Sequence, residues 1–448
     1  MEEIGEIVEG TTSYFIFKAI KEIKKLDYVC VFHENKILSQ IWEIFNRSDG
    51  TFAKANIIGS TEERYMVRTP FSVGEKVYRA DEETIKKIIG IENEGIYIGI
   101  LKDMNIKVFL SPETLIQKHI CILAKSGSGK SYTMGVIIEE FIKKGDAILI
   151  IDPHGEYTSL RHPNFEEINA MSKFEVSPKS YAKNVFEYSP VCSNNREAIP
   201  LLLDEVNLSF QDLLYLFPEA TQIQKGLLYE AWKNASEKRI YTMEDILEEI
   251  KEAKSSAKWG LINQMEQIMA MGIFSKYYTP LDEIVKKGKC SIINMRGVPP
   301  YIQEMLVSIL LTRIFEERKN NSIPPLLVVI EEAHRYCPER GQGKSIASSI
   351  IKNIASEGRK FGIGLAILTQ RPARIDKNVI SQCNTHIILK TTNPNDLKAI
   401  TSSVEGLDSS SSNEIQTLPI GVAIVAGMPL ACPIFVEIRT RETRHGGK

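Results

Sequence analysis

Short apolar segments separated by glycines dominate the first part of this 448-residue chain. Examples are Tyr28–Phe32, Ile96–Leu101 and Ile106–Leu110, and a helical pattern near Asp81–Ile89 interrupts them. Regularly spaced short strands with turn residues between them are typical of a small β-barrel. The pattern therefore predicts an N-terminal β-barrel over residues 1–112.

The hydrophobic pattern changes after His119. An apolar run at Ile120–Leu123 leads into a loop of glycine and serine, and a helical stretch at Ser131–Lys144 and a second apolar run at Ala147–Ile151 follow. A strand, a loop, a helix and another strand in this order form a βαβ unit, whose two strands are parallel. The chain is therefore predicted to belong to the α/β class, with a sheet rich in parallel strands.

The later part of the core alternates strand and helix patterns. Residues 158–285 have mostly helical periodicity and are predicted to be a helical insertion, so the core divides into residues 113–157 and 286–438. The last residues, 439–448, are basic and are expected to form a mobile tail. The later core elements are predicted as strands at Cys290–Met295, Leu326–Ile330, Leu365–Leu368, Thr385–Lys390 and Val422–Ala426, with helices at Pro300–Lys319 and Ser345–Phe361.

Composition and charge narrow the class of protein. Hydrophobic residues make up 43% and charged residues 25%, as in an ordinary globular protein. The formal net charge is −2, so binding to nucleic acid would need a locally basic surface. The cysteines lie far apart in sequence, which argues against a disulfide framework or a zinc site. Neither a signal peptide nor an apolar run of about 20 residues is seen, so we expect a cytoplasmic protein with no membrane span.

The motif with the most specific chemistry is AKSGSGKS at Ala124–Ser131, which has P-loop spacing with alanine in place of the first glycine. A bound triphosphate needs several backbone N–H groups turned inward, and Gly127 and Gly129 permit that sharp path. Lys130 is predicted to reach the β- and γ-phosphates of ATP, and the Ser131 hydroxyl to bind Mg²⁺. The core is therefore predicted to be a P-loop NTPase (RecA-like) fold. The residues expected to contact ATP in this motif are Ser126, Gly127, Ser128, Gly129, Lys130, Ser131 and Tyr132.

Two adjacent acids, Glu331 and Glu332, follow the apolar strand pattern at Leu326–Ile330. In an open α/β sheet, ligands bind outside the carboxyl ends of the strands, where these carboxylates would lie. We expect Glu331 to hold Mg²⁺ through its hydration shell and Glu332 to polarise the attacking water. An exposed acidic loop is the alternative, and a P-loop in the same predicted sheet makes it the weaker one.

Two further residues are candidates for completing or sensing hydrolysis. Gln370 follows another core strand and would contact both the γ-phosphate and the attacking water, unless it is a plain glutamine at a strand end. Arg359 is a candidate arginine finger for the γ-phosphate bound by a neighbouring subunit. A solvated arginine at a helix end is the alternative for Arg359.

The segment IDPHGEY at Ile151–Tyr157 follows the second core strand. Asp152 is expected beside the P-loop, where it would hydrogen-bond the water molecules around the metal. A separate metal site formed by the acids and the histidine of this segment is disfavoured, because Pro153 and Gly155 indicate a turn.

The loop Glu339–Ser345, which follows the acidic strand, places Arg340 and Lys344 beside glycines. This pattern fits a mobile loop that touches the phosphates of a polynucleotide. A solvated surface loop fits the same residues equally well.

Taken in order, the P-loop and the segments DPHGEY, EEAH and TQRP resemble the HerA branch of the HerA–FtsK motor ATPases. The small barrel followed by Lys118 and His119 before the P-loop strand is similar too, and the resemblance covers essentially the whole chain. It implies a hexameric, ATP-driven translocase or helicase for double-stranded DNA, with a NurA-like nuclease partner that resects broken DNA ends. The residues that match family positions are Lys130, Ser131, Glu331, Glu332, Gln370 and Arg359, and Lys118, where arginine is commoner, is counted with the ATP-binding residues.

Two other functions stay open on the sequence. One is a ring ATPase of a conjugation or secretion type that moves another polymer, although such systems often carry a membrane anchor. The other is a scaffold that binds nucleotide without hydrolysing it, and the presence of Glu332 and Gln370 argues against that function.

Overall fold

The computed structural model of the protein describes residues 1–62, 66–191, 197–409 and 411–446. In the first of these ranges and the start of the second, six antiparallel strands close into a barrel in the order β1-β2-β5-β4-β3-β6. Its interior is filled by apolar side chains, among them Phe15, Phe17 and Val29. The strands are Glu3–Gly10 (β1), Tyr14–Ala19 (β2), Tyr28–Phe32 (β3), Lys36–Arg47 (β4), Gly50–Ser60 (β5) and Lys76–Arg79 (β6).

The described residues also contain a 12-stranded sheet that forms the centre of the ATPase core. Its strands are Ile96–Leu101 (β7), Lys107–Leu110 (β8), Ile120–Leu123 (β9), Ala147–Asp152 (β10), Val185–Ser189 (β11), Ile199–Pro200 (β12), Cys290–Asn294 (β15), Leu326–Ile330 (β16), Ile363–Thr369 (β17), Thr385–Ile388 (β18), Val422–Gly427 (β19) and Ile434–Ile438 (β20). Two short strands, Leu203–Asp204 (β13) and Phe274–Ser275 (β14), pair separately.

The large sheet has a parallel half and an antiparallel half. Its order is β12-β11-β15-β10-β16-β17-β9-β18-β19-β20-β7-β8, and all pairs from β12 to β18 are parallel. The pairs from β18 to β8 are antiparallel. Because β16, β17 and β9 are neighbouring parallel strands, the segments that follow their carboxyl ends meet at one edge of the sheet.

The helices of the described residues cover both faces of this sheet and connect its strands. Along β10, Leu149 and Ile151 point into one apolar core while Ile148 and Ile150 point into the other, as expected for a strand buried on both faces. The helices are Glu82–Ile89 (α1), Pro112–Lys118 (α2), Lys130–Lys144 (α3), Ile168–Phe174 (α4), Phe210–Leu216 (α5), Gln222–Ala235 (α6), Met243–Glu252 (α7), Lys258–Ala270 (α8), Leu281–Ile284 (α9), Pro300–Lys319 (α10), Ser348–Glu357 (α11), Lys377–Gln382 (α12), Pro394–Ser403 (α13) and Ser411–Thr417 (α14).

Local sequence explains where several of these helices begin. Ser209 and Asp212 form a reciprocal capping box at α5, and Thr221 and Gln224 do the same at α6. Each box satisfies N–H groups that the first helical turn leaves without partners. At α10, Pro300 occupies a first-turn position, where its missing N–H costs nothing.

The predicted boundary of the barrel at residue 112 is wrong. The last barrel strand ends at Arg79, and β7 and β8 belong to the large sheet, where β7 pairs with β20. Residues 158–285 likewise contain β11 and β12, which extend the large sheet, as well as the predicted helices. Short apolar strands look alike in sequence whichever sheet they join, because the choice of partner depends on residues distant along the chain.

The first part of the basic C-terminal segment is packed into the core, so the predicted mobile tail is wrong for residues 439–443. Arg439 is fully buried and forms ion pairs with Glu139 and Glu140 of α3 at 3.0 and 2.9 Å. Arg441 is buried beside the same helix. A buried charge is tolerated when it is paired and hydrogen-bonded, and the carboxylates of α3 supply those partners.

Candidate nucleotide-binding site

The P-loop, Ala124–Ser131, connects β9 to α3, and glycine is required at two of its positions. Gly127 has φ of 74° and Gly129 has φ of 101°, in the left-handed region that side chains other than glycine rarely adopt. A Cβ at either position would meet nothing within 4 Å, so backbone conformation and not crowding demands glycine here. The open space over both glycines is where phosphate groups would approach the backbone.

The start of α3 leaves its N–H groups available to a ligand. Gly129 is the N-cap, and no side chain caps the helix. The Ser128 hydroxyl instead donates to the Lys125 carbonyl at 2.7 Å and holds the loop closed on itself. Uncapped N–H groups together with the helix dipole favour an anion at this position.

Lys130 lies against the two carboxylates that follow β16. Its Nζ contacts a carboxylate oxygen of Glu331 and lies 3.2 Å from Oε1 of Glu332. All three side chains are nearly or fully buried. Burial alone would lower the pKa of Lys130, but the two carboxylates outweigh it and raise that pKa above its ordinary value. The structure thus brings together the lysine and the acids that the sequence predicted to share one site.

Glu332 has a strained backbone and one carboxylate oxygen without a hydrogen-bond partner. Its φ of 50° and ψ of 43° place a residue other than glycine in the left-handed region, which costs roughly 1–3 kcal/mol. Within the described parts of the chain, its buried Oε2 accepts no hydrogen bond, although His334 Nδ1 lies 3.3 Å away. A buried carboxylate oxygen of this kind is suited to accept a proton from a bound water molecule.

Asp152 is fully buried beside this pair, at the carboxyl end of β10. Its carboxylate accepts backbone N–H groups from His154, Gly155 and Tyr157 at 3.2, 2.8 and 3.1 Å. Burial raises the pKa of Asp152 to about 7; the charge of Glu331 adds to that rise and the three N–H groups oppose it. By accepting these three N–H groups, the Asp152 side chain fixes the turn that follows β10.

Three residues outside the predicted set complete the environment of the acids. The Tyr157 hydroxyl donates to Oε1 of Glu331, and His334 Nδ1 lies 3.0 Å from the Thr369 hydroxyl at the end of β17. All three lie inside the segments DPHGEY, EEAH and TQRP. In the sequence, the only indication of a role for these residues is their position within those segments. Which of their side chains contact each other depends on the pairing of β10, β16 and β17.

Gln370 follows β17 directly, between the strands that carry the P-loop and the acids. It is partly buried at the same edge of the sheet as Lys130 and Glu332. Ser131 and Tyr132, in the first turn of α3, are also partly buried there. These placements agree with the predicted neighbourhood, and the roles of these side chains stay predictions.

Lys118 lies at the opposite end of β9 from the P-loop of its own chain. It precedes β9 whereas the P-loop follows it, and four residues of strand separate the two by about 13 Å at roughly 3.3 Å per residue. His119, next to it, accepts the N–H of Leu365 and donates to the carbonyl of Ala355, each at 3.0 Å. Burial lowers the pKa of His119 to about 4, so it is neutral and structural.

Arg359 lies at the same edge as Lys118, opposite the P-loop. It is exposed in a short 3-10 helix, Gly358–Phe361, just before β17 begins. From there it cannot contact nucleotide bound in its own chain. A contact with nucleotide in a neighbouring copy, for Arg359 or for Lys118, stays a prediction.

Arg340 and Lys344 are exposed in the loop after the acidic strand, on the side of the sheet where the P-loop lies. The loop is tied at its base, since Glu339 accepts the N–H of Lys377 at 2.9 Å and donates its own N–H to Arg374 at 2.8 Å. Gly341 and Gly343 have positive φ values within it. Because both basic side chains are exposed, they are accessible to a polymer. The geometry of the loop does not identify that polymer.

Comparison with known sequences gives one consistent family. The family model for the central domain of helicase HerA matches residues 96–314. A Methanocaldococcus jannaschii protein named probable DNA double-strand break repair helicase HerA is 27% identical over 98% of this chain and 95% of its own length. The DNA double-strand break repair helicase HerA of Saccharolobus solfataricus is 29% identical over 88% of this chain and 79% of its own length.

Solved structures with the same fold are P-loop ATPases. VirB4 of Thermoanaerobacter pseudethanolicus matches with a TM-score of 0.55 at 14% identity, over 78% of this chain and 97% of that one. The plasmid coupling protein TrwB in complex with ADP and Mg²⁺ also gives 0.55, at 13% identity, over 83% and 94%. At these identities the likeness concerns the fold alone.

The buried lysine and acid pair, the open P-loop and the parallel sheet define this protein as a P-loop ATPase with a RecA-like core. Within that class, the chain belongs to the HerA family of helicases. Among residues 1–62, 66–191, 197–409 and 411–446, no helix has the length and apolar character needed to cross a bilayer.

Proposed function

We propose that this protein is a motor that uses ATP to translocate along double-stranded DNA during repair of double-strand breaks. The observation that carries the proposal is the contact of Lys130 with Glu331 and Glu332 at an open P-loop. The relatives named as double-strand break repair helicases, aligned over most of the chain, supply the DNA substrate and the setting.

The residues at the site fit ATP and Mg²⁺. The glycines of the P-loop leave the space that phosphates need, and one oxygen of Glu332 is buried without a partner in the described residues. Ser131 and Glu331 would hold the metal ion, directly or through its water molecules. Mg²⁺, when bound, would neutralise charge on the phosphates.

Each side chain has a distinct part in the proposed hydrolysis. Lys130 would move from the carboxylates to the β- and γ-phosphates, since both compete for the same ammonium group. Glu332 would orient the attacking water and accept its proton. Gln370, between the two, would contact the γ-phosphate and report its loss to β17. Asp152 would support the metal-bound water molecules from the adjacent strand.

We propose that the working form is a homohexameric ring, because Arg359 and Lys118 lie at the edge opposite the P-loop of their own chain. In the ring, Arg359 and Lys118 of one subunit would lie near the nucleotide bound by the neighbouring subunit. There an arginine would stabilise the transferred phosphoryl group. Ring symmetry would repeat Arg340 and Lys344 around one axis, which supplies a concentrated positive charge to a protein whose net charge is −2.

The N-terminal barrel is the proposed docking module for a NurA-like nuclease. Its strands contribute nothing to the P-loop, the acid pair or the Asp152 turn. A role in recruiting a nuclease would connect translocation with resection of DNA ends.

A conjugation or secretion motor for another polymer is the second candidate and is not favoured. VirB4 and TrwB share the fold, but their identity to this chain is only 14% and 13%. The relatives that align over most of the chain are named as DNA repair helicases.

A strand-displacement assay tests the proposed function. A third strand is annealed to linear duplex DNA, and its release is followed with ATP and with a non-hydrolysable analogue. Release that needs hydrolysis, and that is delayed in proportion to the distance of the third strand from the DNA end, supports translocation. ATP hydrolysis without release on any duplex length would contradict it.

A further inference from the structure

Two buried carboxylates lie side by side at the ends of neighbouring strands. The pairing of β10 with β16 sets Ile151 opposite Ile330, so Asp152 and Glu331 emerge next to each other. The N–H of Glu331 donates to the Ile151 carbonyl at 3.2 Å, which keeps the two strand ends together. Like charges at such close quarters repel in a buried site, so the orientation of each carboxylate must be held by other groups.

Tyr157 contacts both carboxylates with different parts of the same residue. Its hydroxyl donates to Oε1 of Glu331, and its backbone N–H donates to Oδ2 of Asp152 at 3.1 Å. Lys130 contacts the other oxygen of Glu331, so that carboxylate is held from two directions. Tyr157 thus joins the turn after β10 to the acid after β16.

The position of Tyr157 is itself firmly set. The side chain is only 1% exposed, in the apolar core that includes Leu160 and Met134. Gly155 makes the preceding turn with φ of 76°, and a Cβ there would lie 3.1 Å from Nδ2 of Asn294. Burial, and the negative charge of Glu331 after it, raise the pKa of Tyr157 well above its ordinary value, so the hydroxyl keeps its proton and remains a donor.

We propose that Tyr157 is a positioning residue for the metal-dependent step of ATP hydrolysis, holding Glu331 in the orientation that receives Mg²⁺ and coupling it to the Asp152 turn. This inference rests on the proposed function only as far as Mg²⁺-dependent nucleotide binding. It extends that function by assigning a task to a residue outside the P-loop and the acid pair.

The test uses the full chain with Tyr157→Phe, which removes the hydroxyl and leaves the ring. Binding of a fluorescent ATP analogue is titrated with Mg²⁺, and separately measured in a metal chelator. The Mg²⁺ concentration for half-maximal enhancement of binding should rise by about tenfold, the lower end of the effect of removing a hydrogen-bond partner from a metal ligand. Affinity in chelator should stay unchanged, because the P-loop N–H groups remain in place.

Tyr181→Phe is the matched control. Tyr181 is also a buried tyrosine whose hydroxyl donates to a buried carboxylate, Oε2 of Glu442 at 2.6 Å, and that carboxylate is not part of the acid pair. It should lower thermal stability much as Tyr157→Phe does, and leave the Mg²⁺ titration unchanged. A Tyr157→Phe protein with a wild-type Mg²⁺ titration would overturn the proposal.

A second variant displaces the hydroxyl without removing it. Gly155→Ala strains the turn before Tyr157 and crowds Asn294, and it should raise the required Mg²⁺ concentration in the same direction. If Tyr157→Phe does not fold, this variant decides the question, and an unchanged titration overturns the proposal. Failure of the wild-type protein to move DNA would contradict the proposed function and leave these binding results standing, which separates the two.

Discussion

Lys130 Nζ lies 3.2 Å from Oε1 of Glu332 and also contacts Glu331, which is 201 positions away in the sequence. The lysine and the acids are far apart along the chain, and the parallel order β16-β17-β9 brings them together. The contact ties phosphate binding to the acids of the proposed hydrolysis, because the ammonium group that would bind phosphate is the same one that balances the carboxylates.

Asp152→Asn should change how stability depends on pH. The pKa of Asp152 is raised from 3.8 to about 7 in the folded chain, so the folded state binds its proton more tightly than the unfolded state does. The stabilising effect of that proton is complete below about pH 4 and is lost as the pH rises through 7. The asparagine variant should lack this decline in stability. Urea unfolding at several pH values measures it, and parallel pH profiles for the two proteins would contradict the assignment.

Arg439→Ala should destabilise the protein strongly, because it removes the guanidinium group that pairs with the buried carboxylates of Glu139 and Glu140. Removing one member of a buried ion pair typically costs about 3–5 kcal/mol. Arg444 offers a matched control, since its pair with Glu166 is at 3.2 Å and its side chain is 59% exposed. Arg444→Ala should cost at most about 1 kcal/mol, as for other surface pairs. Equal midpoints of urea unfolding for the two variants would show that the C-terminal segment is not part of the core.

The double change Arg340→Ala with Lys344→Ala should weaken DNA binding in a salt-dependent way. The slope of log affinity against log salt should become shallower by about 0.9 for every phosphate that the variant no longer neutralises. Basal ATPase activity should be kept, since both side chains are exposed in a loop outside the buried site. Lys286→Ala with Lys287→Ala removes the same charge from another exposed segment and should leave the slope unchanged. An unchanged slope in the Arg340 and Lys344 variant would place the DNA path elsewhere.

Mixing two inactive variants should restore activity if Arg359 acts between subunits. Lys130→Ala should weaken nucleotide binding, because it removes the predicted phosphate contact, and Arg359→Ala removes the proposed finger. A mixed ring contains interfaces that combine an intact P-loop with an intact arginine, so ATP hydrolysis should reappear. The measurement is the ATPase rate across mixing ratios, with mixed assemblies verified by mass. Mixed rings that remain inactive at every ratio would argue against a role in trans.

The neighbourhood of the P-loop and the two acids could be predicted from the sequence, because each is a short motif at the carboxyl end of a strand pattern and such ends meet at one edge of a parallel sheet. The P-loop needs glycines at 127 and 129 for their backbone angles, and the acids need only to end a buried strand of the same sheet. Gln370 follows β17 and Glu332 comes after β16. Because these two strands are parallel neighbours, the same topology places both residues at one edge of the sheet.

Other features could not be predicted, because they depend on partners distant in sequence. The strand Ile96–Leu101 resembles a barrel strand until its pairing with β20 is known. The charge of the segment after Ile438 indicates a solvated tail, although Glu139 and Glu140 on α3 provide buried partners. The sequence indicates this buried pairing only through two adjacent acids, Glu139 and Glu140, on an otherwise apolar stretch of helix. The family resemblance groups Lys118 with the P-loop, and only the direction of β9 shows that they lie at opposite edges.

The most direct test of the central claim compares ATP hydrolysis by the wild-type protein and by Glu332→Gln, each with and without linear duplex DNA. The wild-type rate should rise when duplex is added, and Glu332→Gln should bind ATP yet hydrolyse it about a hundredfold more slowly, because an amide cannot accept the proton of the attacking water. Glu357→Gln, at an exposed glutamate, should behave like the wild type. The account would be contradicted if Glu332→Gln hydrolysed ATP at the wild-type rate. It would also be contradicted if the wild-type rate did not change when linear duplex DNA was added.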